Sequence, residues 1–265
     1  MNLEKYRIKI YTRSMNKALY ERAMFFLDLP YPKIRLLNTS ADGYLYQLVE
    51  DTEADIIINI DEDAFGYDLS ELKKLLYYMI ENDYVNCGMP DGGVAHLRRA
   101  NPLVTNPFFN ILNVAAIRKK YSKEAIESFP YHRAEYMDGF PDKLLRIGYE
   151  FVNNEPYCHF FVWLSQNFKT LYLDSADHPD GESTILKNHM DAPFLIHTWY
   201  SRMYNTDRKH TKRINNVVKE CSGLSGLKYP VSVKENISSF ALIQMYQLQR
   251  FLVKLKKRLL KNKKG

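Results

Sequence analysis

Short apolar runs alternate with longer segments in which apolar residues recur every three or four positions. Arg7–Tyr11 (RIKIY) reads as a strand and Met15–Leu27 as a helix, with Ala18, Leu19, Ala23, Phe26 and Leu27 on one side. Pro30 and Pro32 break the pattern. Ile34–Leu37 predicts a second strand, Asn38–Gly43 (NTSADG) a turn, Tyr44–Asp51 a helix and Ala54–Ile60 a third strand. Strand, helix, strand, helix, strand is the order of a parallel sheet covered by helices.

Further on, Leu69–Asn82 has the helical period and Tyr84–Gly88 reads as a strand. Met89–Pro107 is irregular. Phe108–Ile117 is expected to form a strand or strand pair, Lys123–Ser128 a short helix, Tyr157–Phe168 an apolar helix and Leu171–Leu173 a strand. The polar stretch Ser175–Thr184 is expected to be a loop able to act as a lid. Phe194–Trp199 is apolar with His197 embedded in it, and Ile237–Gly265 has helical apolar spacing. The expected division is a domain over 1–230 and an amphipathic basic helix over 231–265.

The 265 residues suffice for one substantial core, and 46% hydrophobic with 26% charged residues is a globular composition. The net charge of +6 is uneven: Arg250 to Lys264 holds eight basic residues and no acidic one, so the remainder stands near −2. The basic balance belongs to the tail and does not indicate nucleic-acid binding. The three cysteines, Cys87, Cys158 and Cys221, fit neither a zinc site nor a disulfide framework. The N-terminus lacks the pattern of a signal peptide, and the expected location is cytoplasmic.

One stretch carries chemistry. In ADIIINIDEDAF, Ala54–Phe65, a run built for burial ends in Asp61-Glu62-Asp63. Strand alternation puts Asp61 and Asp63 on one side and Glu62 on the other. Two carboxylates at the mouth of a core strand either repel each other or share a cation, and Mg²⁺ or Mn²⁺ favours such oxygen ligands together with substrate phosphates. The alternative is a solvated turn in which Asp63 caps the next helix. Thr12-Arg13 and Asn38-Thr39-Ser40 end the neighbouring strands, so three loops are expected on the rim where parallel sheets bind ligands.

These residues resemble a GT-A-type glycosyltransferase, most closely the inverting family-two group, in which a strand after two βα units ends in D-x-D. The resemblance spans about residues 6–204. It implies that Asp63 ligates the metal, with Asp61 nearer the ribose or a metal-bound water. A second matching element is EPYCHFFVWLSQNFKTLYL, Glu155–Leu173, an acid at the start of a helix followed by a strand. The resemblance makes Glu155 the general base; Glu135, Asp138 and Glu150 are nearby alternatives. The family has two adjacent acids there, whereas this chain has Glu155-Pro156. The third element, HTWYSR, supplies His197 as a further metal ligand and Trp199 as a substrate contact. Nucleotide contacts are carried over to Thr12, Arg13, Asn38 and Asp61. Arg98, in GGVAHLRRANP, is expected to grip phosphate or acceptor. The resemblance further implies Mn²⁺ or Mg²⁺, a nucleotide-diphospho-sugar donor (UDP-sugars being the family's commonest) and a glycan or lipid-linked acceptor.

Two other functions stay open. A sugar nucleotidyltransferase needs a glycine-rich phosphate loop after the first strand, and YTRSMNKA has no glycine. A non-catalytic nucleotide-sugar or glycan-binding module would keep the fold without the base. The tail fits contact with an anionic membrane, packing on the body, or dimerisation.

Overall fold

The computed structural model describes residues 3–91, 100–130, 134–145, 149, 153, 155–230 and 233–262. The strands are β1 (Ile8–Arg13), β2 (Lys33–Leu36), β3 (Ile56–Ile60), β4 (Ala64–Gly66), β5 (Asn86–Gly88), β6 (Phe109–Leu112), β7 (Thr170–Tyr172), β8 (Ser175–Asp177), β9 (Thr184–Lys187) and β10 (Pro193–His197). The helices are α1 (Lys17–Phe26), α2 (Gly43–Glu50), α3 (Leu69–Glu81), α4 (Val114–Ile117), α5 (Lys123–Glu127), α6 (Cys158–Asn167), α7 (Arg208–Ser225) and α8 (Val233–Asn262).

Six strands form the central sheet in the order β2-β1-β3-β6-β5-β7. β1, β2 and β3 are parallel to one another, as are β5 and β7, and β6 runs against both of its neighbours. The carboxyl ends of β1, β2, β3 and β5 therefore share one rim. β3 is buried from end to end. Ile56, Ile58 and Ile60 face α1 and α3, packing in one core with Leu19, Phe26, Leu72 and Leu76. Ile57 faces the other layer, with Leu45 and Leu48 of α2 and Phe160 and Phe161 of α6. Coverage on both faces explains why this strand is apolar at every position but Asn59 rather than alternating. Helix starts are fixed by side chains: Asn16 accepts from the amides of Ala18 and Leu19, and Asp68 from those of Ser70 and Glu71.

Three sequence expectations are corrected. Phe108–Ile117 is one strand followed by a helical turn, because Asn113 accepts from the Ala116 amide and ends the ladder. Ser175–Thr184 is not a lid loop. Its ends are β8 and β9, paired antiparallel in a second, four-stranded sheet of order β4-β10-β9-β8. The intervening turn is held by Asp180, which accepts from the amides of Glu182 and Ser183 and from the Ser183 hydroxyl. Finally, Glu155 does not stand at the start of α6: it lies with Pro156 in a turn, and the helix begins at Cys158.

The irregular segment after β5 folds back on itself where it is described. Pro90 bridges Thr105, and the amides of Asp91 and Asn106 reach the carbonyls of Val104 and Met89. This return passes close over Gly88, where a Cβ would sit 3.0 Å from the Thr105 side chain. Under it runs a buried polar ladder: Asn59 donates to Asn110, and Asn110 and Asn86 both donate to Thr105.

Candidate metal centre

β3 ends at Ile60, and Asp61-Glu62-Asp63 form a tight turn into β4, closed by the Ala64 amide on the Asp61 carbonyl. The two aspartates converge through this turn rather than through strand alternation. Both sides of the turn are pinned. The Asp61 amide donates to the Phe108 carbonyl at 2.8 Å, and the Asp63 carbonyl accepts from the amide and hydroxyl of Thr198 at 2.9 and 3.0 Å.

Thr198 follows the last residue of β10, which runs antiparallel to β4 with His197 opposite Ala64. That register carries His197 to the aspartates. Its Nε2 lies 3.3 Å from Asp63 Oδ1, and ligand atoms of Asp61, Asp63 and His197 all fall within 4.8 Å of one another. Among the described residues this is the one group of three His, Cys, Asp or Glu side chains so arranged. The imidazole packs against two rings: Phe108 stacks on its face at 4.2 Å and 11°, and Trp199 lies 4.2 Å away on a tilted plane.

The electrostatics fit a cation. Burial pushes the Asp61 carboxyl up to about 8, and the charge of Asp63 adds to that push, with the Arg13 guanidinium opposing it. His197 is buried and its Nδ1 has no hydrogen-bond partner. Two carboxylates and an imidazole suit a divalent ion of the Mn²⁺ or Mg²⁺ type. Neighbouring ligands about 2.1 Å from an octahedral ion stand roughly 3 Å apart, close to the 3.3 Å between His197 and Asp63.

The shift has a definite sign. Between the ordinary value of 3.8 and about 8, the folded metal-free protein binds a proton at Asp61 that the unfolded chain has released. Its stability therefore falls as pH rises through that window. A cation must displace the same proton. Mn²⁺ affinity is expected to rise by up to about tenfold per pH unit below 8 and to level off above it. Calorimetry in buffers of different ionisation enthalpy should register about one proton released at pH 6.5 and almost none at pH 9. Proton release that is the same at both values would contradict the assignment.

Glu62 points away from the pair. It is buried, and accepts from the Ser14 hydroxyl and the Asn16 amide, both at 2.6 Å. It thus ties the metal-side turn to the turn after β1. Glu62→Ala leaves these two donors unmatched and should destabilise the protein by about 1–3 kcal/mol in urea unfolding, with Glu62→Gln milder. Equal stabilities for all three proteins would show that this clasp carries nothing.

Several of the other residues singled out from the sequence lie along this rim. Thr12 and Arg13 end β1; Thr12 is buried with its hydroxyl unpartnered, and Arg13 lies over the Tyr44 ring at 5.5 Å. Asn38 is exposed after β2 in a left-handed conformation, φ 55°. Both strand ends belong to the rim that holds Asp61. Glu155 is not within the 4.8 Å group. Its turn nevertheless reaches the same rim: the Tyr157 hydroxyl donates to Asp91, a buried residue just beyond the carboxyl end of β5. Trp199 packs beside His197 and donates from Nε1 to Thr184. Arg98 lies outside the described residues, as does Glu150. The structure adds Phe108, Thr198 and the anchoring role of Glu62. Thr198 and Phe108 carry no sequence signal, because their importance comes from strand pairings distant along the chain.

No family model and no curated protein matches this chain. Among solved structures, it is similar to A197 from STIV, with 10% identity over 71% of this chain and 93% of that one, at a TM-score of 0.39. It is also similar to the mannosyltransferase PcManGT from Pyrobaculum calidifontis, in complex with GDP-Man and Mn²⁺, with 9% identity over 96% of this chain and 85% of that one, at a TM-score of 0.38. At these values the likeness assigns neither family nor activity, and the functional reading rests on the site itself.

Proposed function

We propose that this protein is a metal-dependent glycosyltransferase of the GT-A type, with residues 1–230 as the transferase domain and 231–265 as an appended helix. It moves a sugar from a nucleoside-diphosphate donor, a UDP-sugar in the first instance, to a glycan or lipid-linked acceptor with inversion. The observation that carries this reading is the Asp61–Asp63–His197 group at the carboxyl rim of a mostly parallel sheet. That rim is where such sheets take nucleotides.

Asp63 and His197 would hold Mn²⁺ or Mg²⁺, with Asp61 beside them or on the ribose. When bound, the ion supplies positive charge against the departing diphosphate. Thr12, Arg13 and Asn38, on adjacent strand ends, would contact the nucleotide. Trp199 and Arg98 are assigned to the sugar and acceptor. Glu155 would take the proton from the acceptor hydroxyl as that oxygen bonds to the anomeric carbon and the bond from that carbon to the diphosphate breaks.

The test is incubation of the full chain with Mn²⁺ and a panel of UDP-, GDP- and dTDP-sugars. Metal-dependent release of nucleoside diphosphate supports the proposal. Turnover that requires pyrophosphate points to a nucleotidyltransferase instead. Saturable nucleotide-sugar binding with no turnover on any acceptor points to a binding module.

A further inference from the structure

α8 is attached to the body along a narrow strip. Ser239 donates to Asn205, Arg250 pairs with Asp207 at 3.5 Å, and Ile243 is buried. These positions share one side of a helix with about 100° per residue. Ile237, Phe240, Leu248, Phe251 and Leu252 lie on the other side, and each is between 52% and 66% exposed. The helix thus holds its large apolar side chains outward. Soluble surfaces rarely present so contiguous a patch without an occupant.

The charge pattern identifies the occupant. From Ile237 to the end of the chain there is no acidic residue, and Arg250 to Lys264 contributes eight basic ones. A second copy docking side by side and parallel would bring these like charges together. In the antiparallel sense, the first turns of its α8 offer only Glu235 against them. An anionic bilayer answers both features: its acyl boundary takes the apolar stripe, and its headgroups take the lysines and arginines. No helix among the described residues is long and apolar enough to cross a membrane, so the helix lies on the surface rather than spanning it.

We infer that α8 is a lipid-surface anchor that seats the protein on anionic membranes, with the stripe Ile237–Phe240–Leu248–Phe251–Leu252 inserted and the basic end of the helix against the headgroups. This inference stands independently of the transferase reading, since none of the site residues takes part.

The test is flotation of the full-length protein with vesicles of phosphatidylcholine alone and of phosphatidylcholine with about 30% phosphatidylglycerol. Wild type should float with the anionic vesicles, and raising the salt should weaken that binding. Phe240→Glu/Phe251→Glu should reduce partitioning at least tenfold. Lys256→Glu/Arg258→Glu/Lys263→Glu should reduce it on the order of a hundredfold, at about fivefold per basic residue. The two phenylalanines lie away from the Ser239–Ile243–Arg250 strip and the three basic positions lie beyond its end, so melting should not change. Equal flotation of wild type and both variants would overturn the proposal, as would absence of wild-type binding to anionic vesicles. A concentration-dependent dimer in ultracentrifugation, abolished by Phe240→Glu/Phe251→Glu while flotation is unaffected, would also overturn it in favour of a second copy.

Discussion

Asp63→Asn is expected to lower metal-dependent sugar transfer by about a thousandfold or more while leaving the metal-free protein at least as stable as wild type. The two effects have one origin. Asp63 sits buried within ligand distance of Asp61 and His197, and its charge helps to hold the Asp61 carboxyl high. Removing that charge lets the Asp61 carboxyl ionise more readily in the metal-free state, and it takes away a donor that the proposed cation needs. Loss of one preorganised electrostatic contact to a developing charge typically lowers turnover by a factor on the order of 10²–10³, and loss of the metal adds to that. Thermal melting should separate the two states. At an Mn²⁺ concentration about a hundred times its dissociation constant, wild type gains roughly 2.7 kcal/mol, and the variant should gain little. A variant that keeps both activity and the Mn²⁺-induced shift would exclude Asp63 as a metal ligand. The expected pattern, more stable yet inactive, is the signature of a site held against its own stability.

Glu155→Gln is expected to reduce kcat by a factor on the order of 10²–10⁴, the usual contribution of a positioned base. Mn²⁺ affinity, KM for the donor and melting temperature should stay near wild type, because Glu155 stands outside the metal group. The amide keeps the size of the side chain and loses its charge and its ability to accept a proton. The turn is anchored independently of that group, through Tyr157 on Asp91 and through the Glu155 carbonyl, which accepts from the Cys158 amide. If turnover survives in Glu155→Gln, then Glu135 and Asp138 become the next carboxylates to exchange. Both are exposed, in and just after the short 3₁₀ turn Ala134–Met137.

The molecule is legible from its residues in some parts and not in others. β3 and its acidic tip stand out because a strand covered on both faces is mostly apolar, Asn59 being its one polar residue, so the charges of Asp61 and Asp63 interrupt it abruptly. Strand alternation predicts the convergence of that pair for a reason that the structure replaces: they meet across a turn, not along a strand. β4 has no sequence signal because three residues, Ala64–Gly66, carry no period. Its pairing with β10 is equally invisible, since nothing local links positions so far apart. The hairpin of β8 and β9 reads as a lid because Ser175–Thr184 is polar, and the Asp180 turn that stiffens it depends on side-chain bonds rather than on apolar pattern. Glu155 is legible as an acid ahead of an apolar helix. Its distance from the metal group is not, because that depends on how the segment after β5 folds back through Asp91 and Asn106.

The contact between Asp63 and Thr198 joins residues 135 apart in the chain. During synthesis, the aspartates therefore leave the ribosome long before the imidazole that completes their set. A partly made chain holds only an incomplete chelate, and ion capture must wait until β10 docks against β4. On the proposed reading, metal loading is thus a late checkpoint, reporting that the distal third of the chain has found its place.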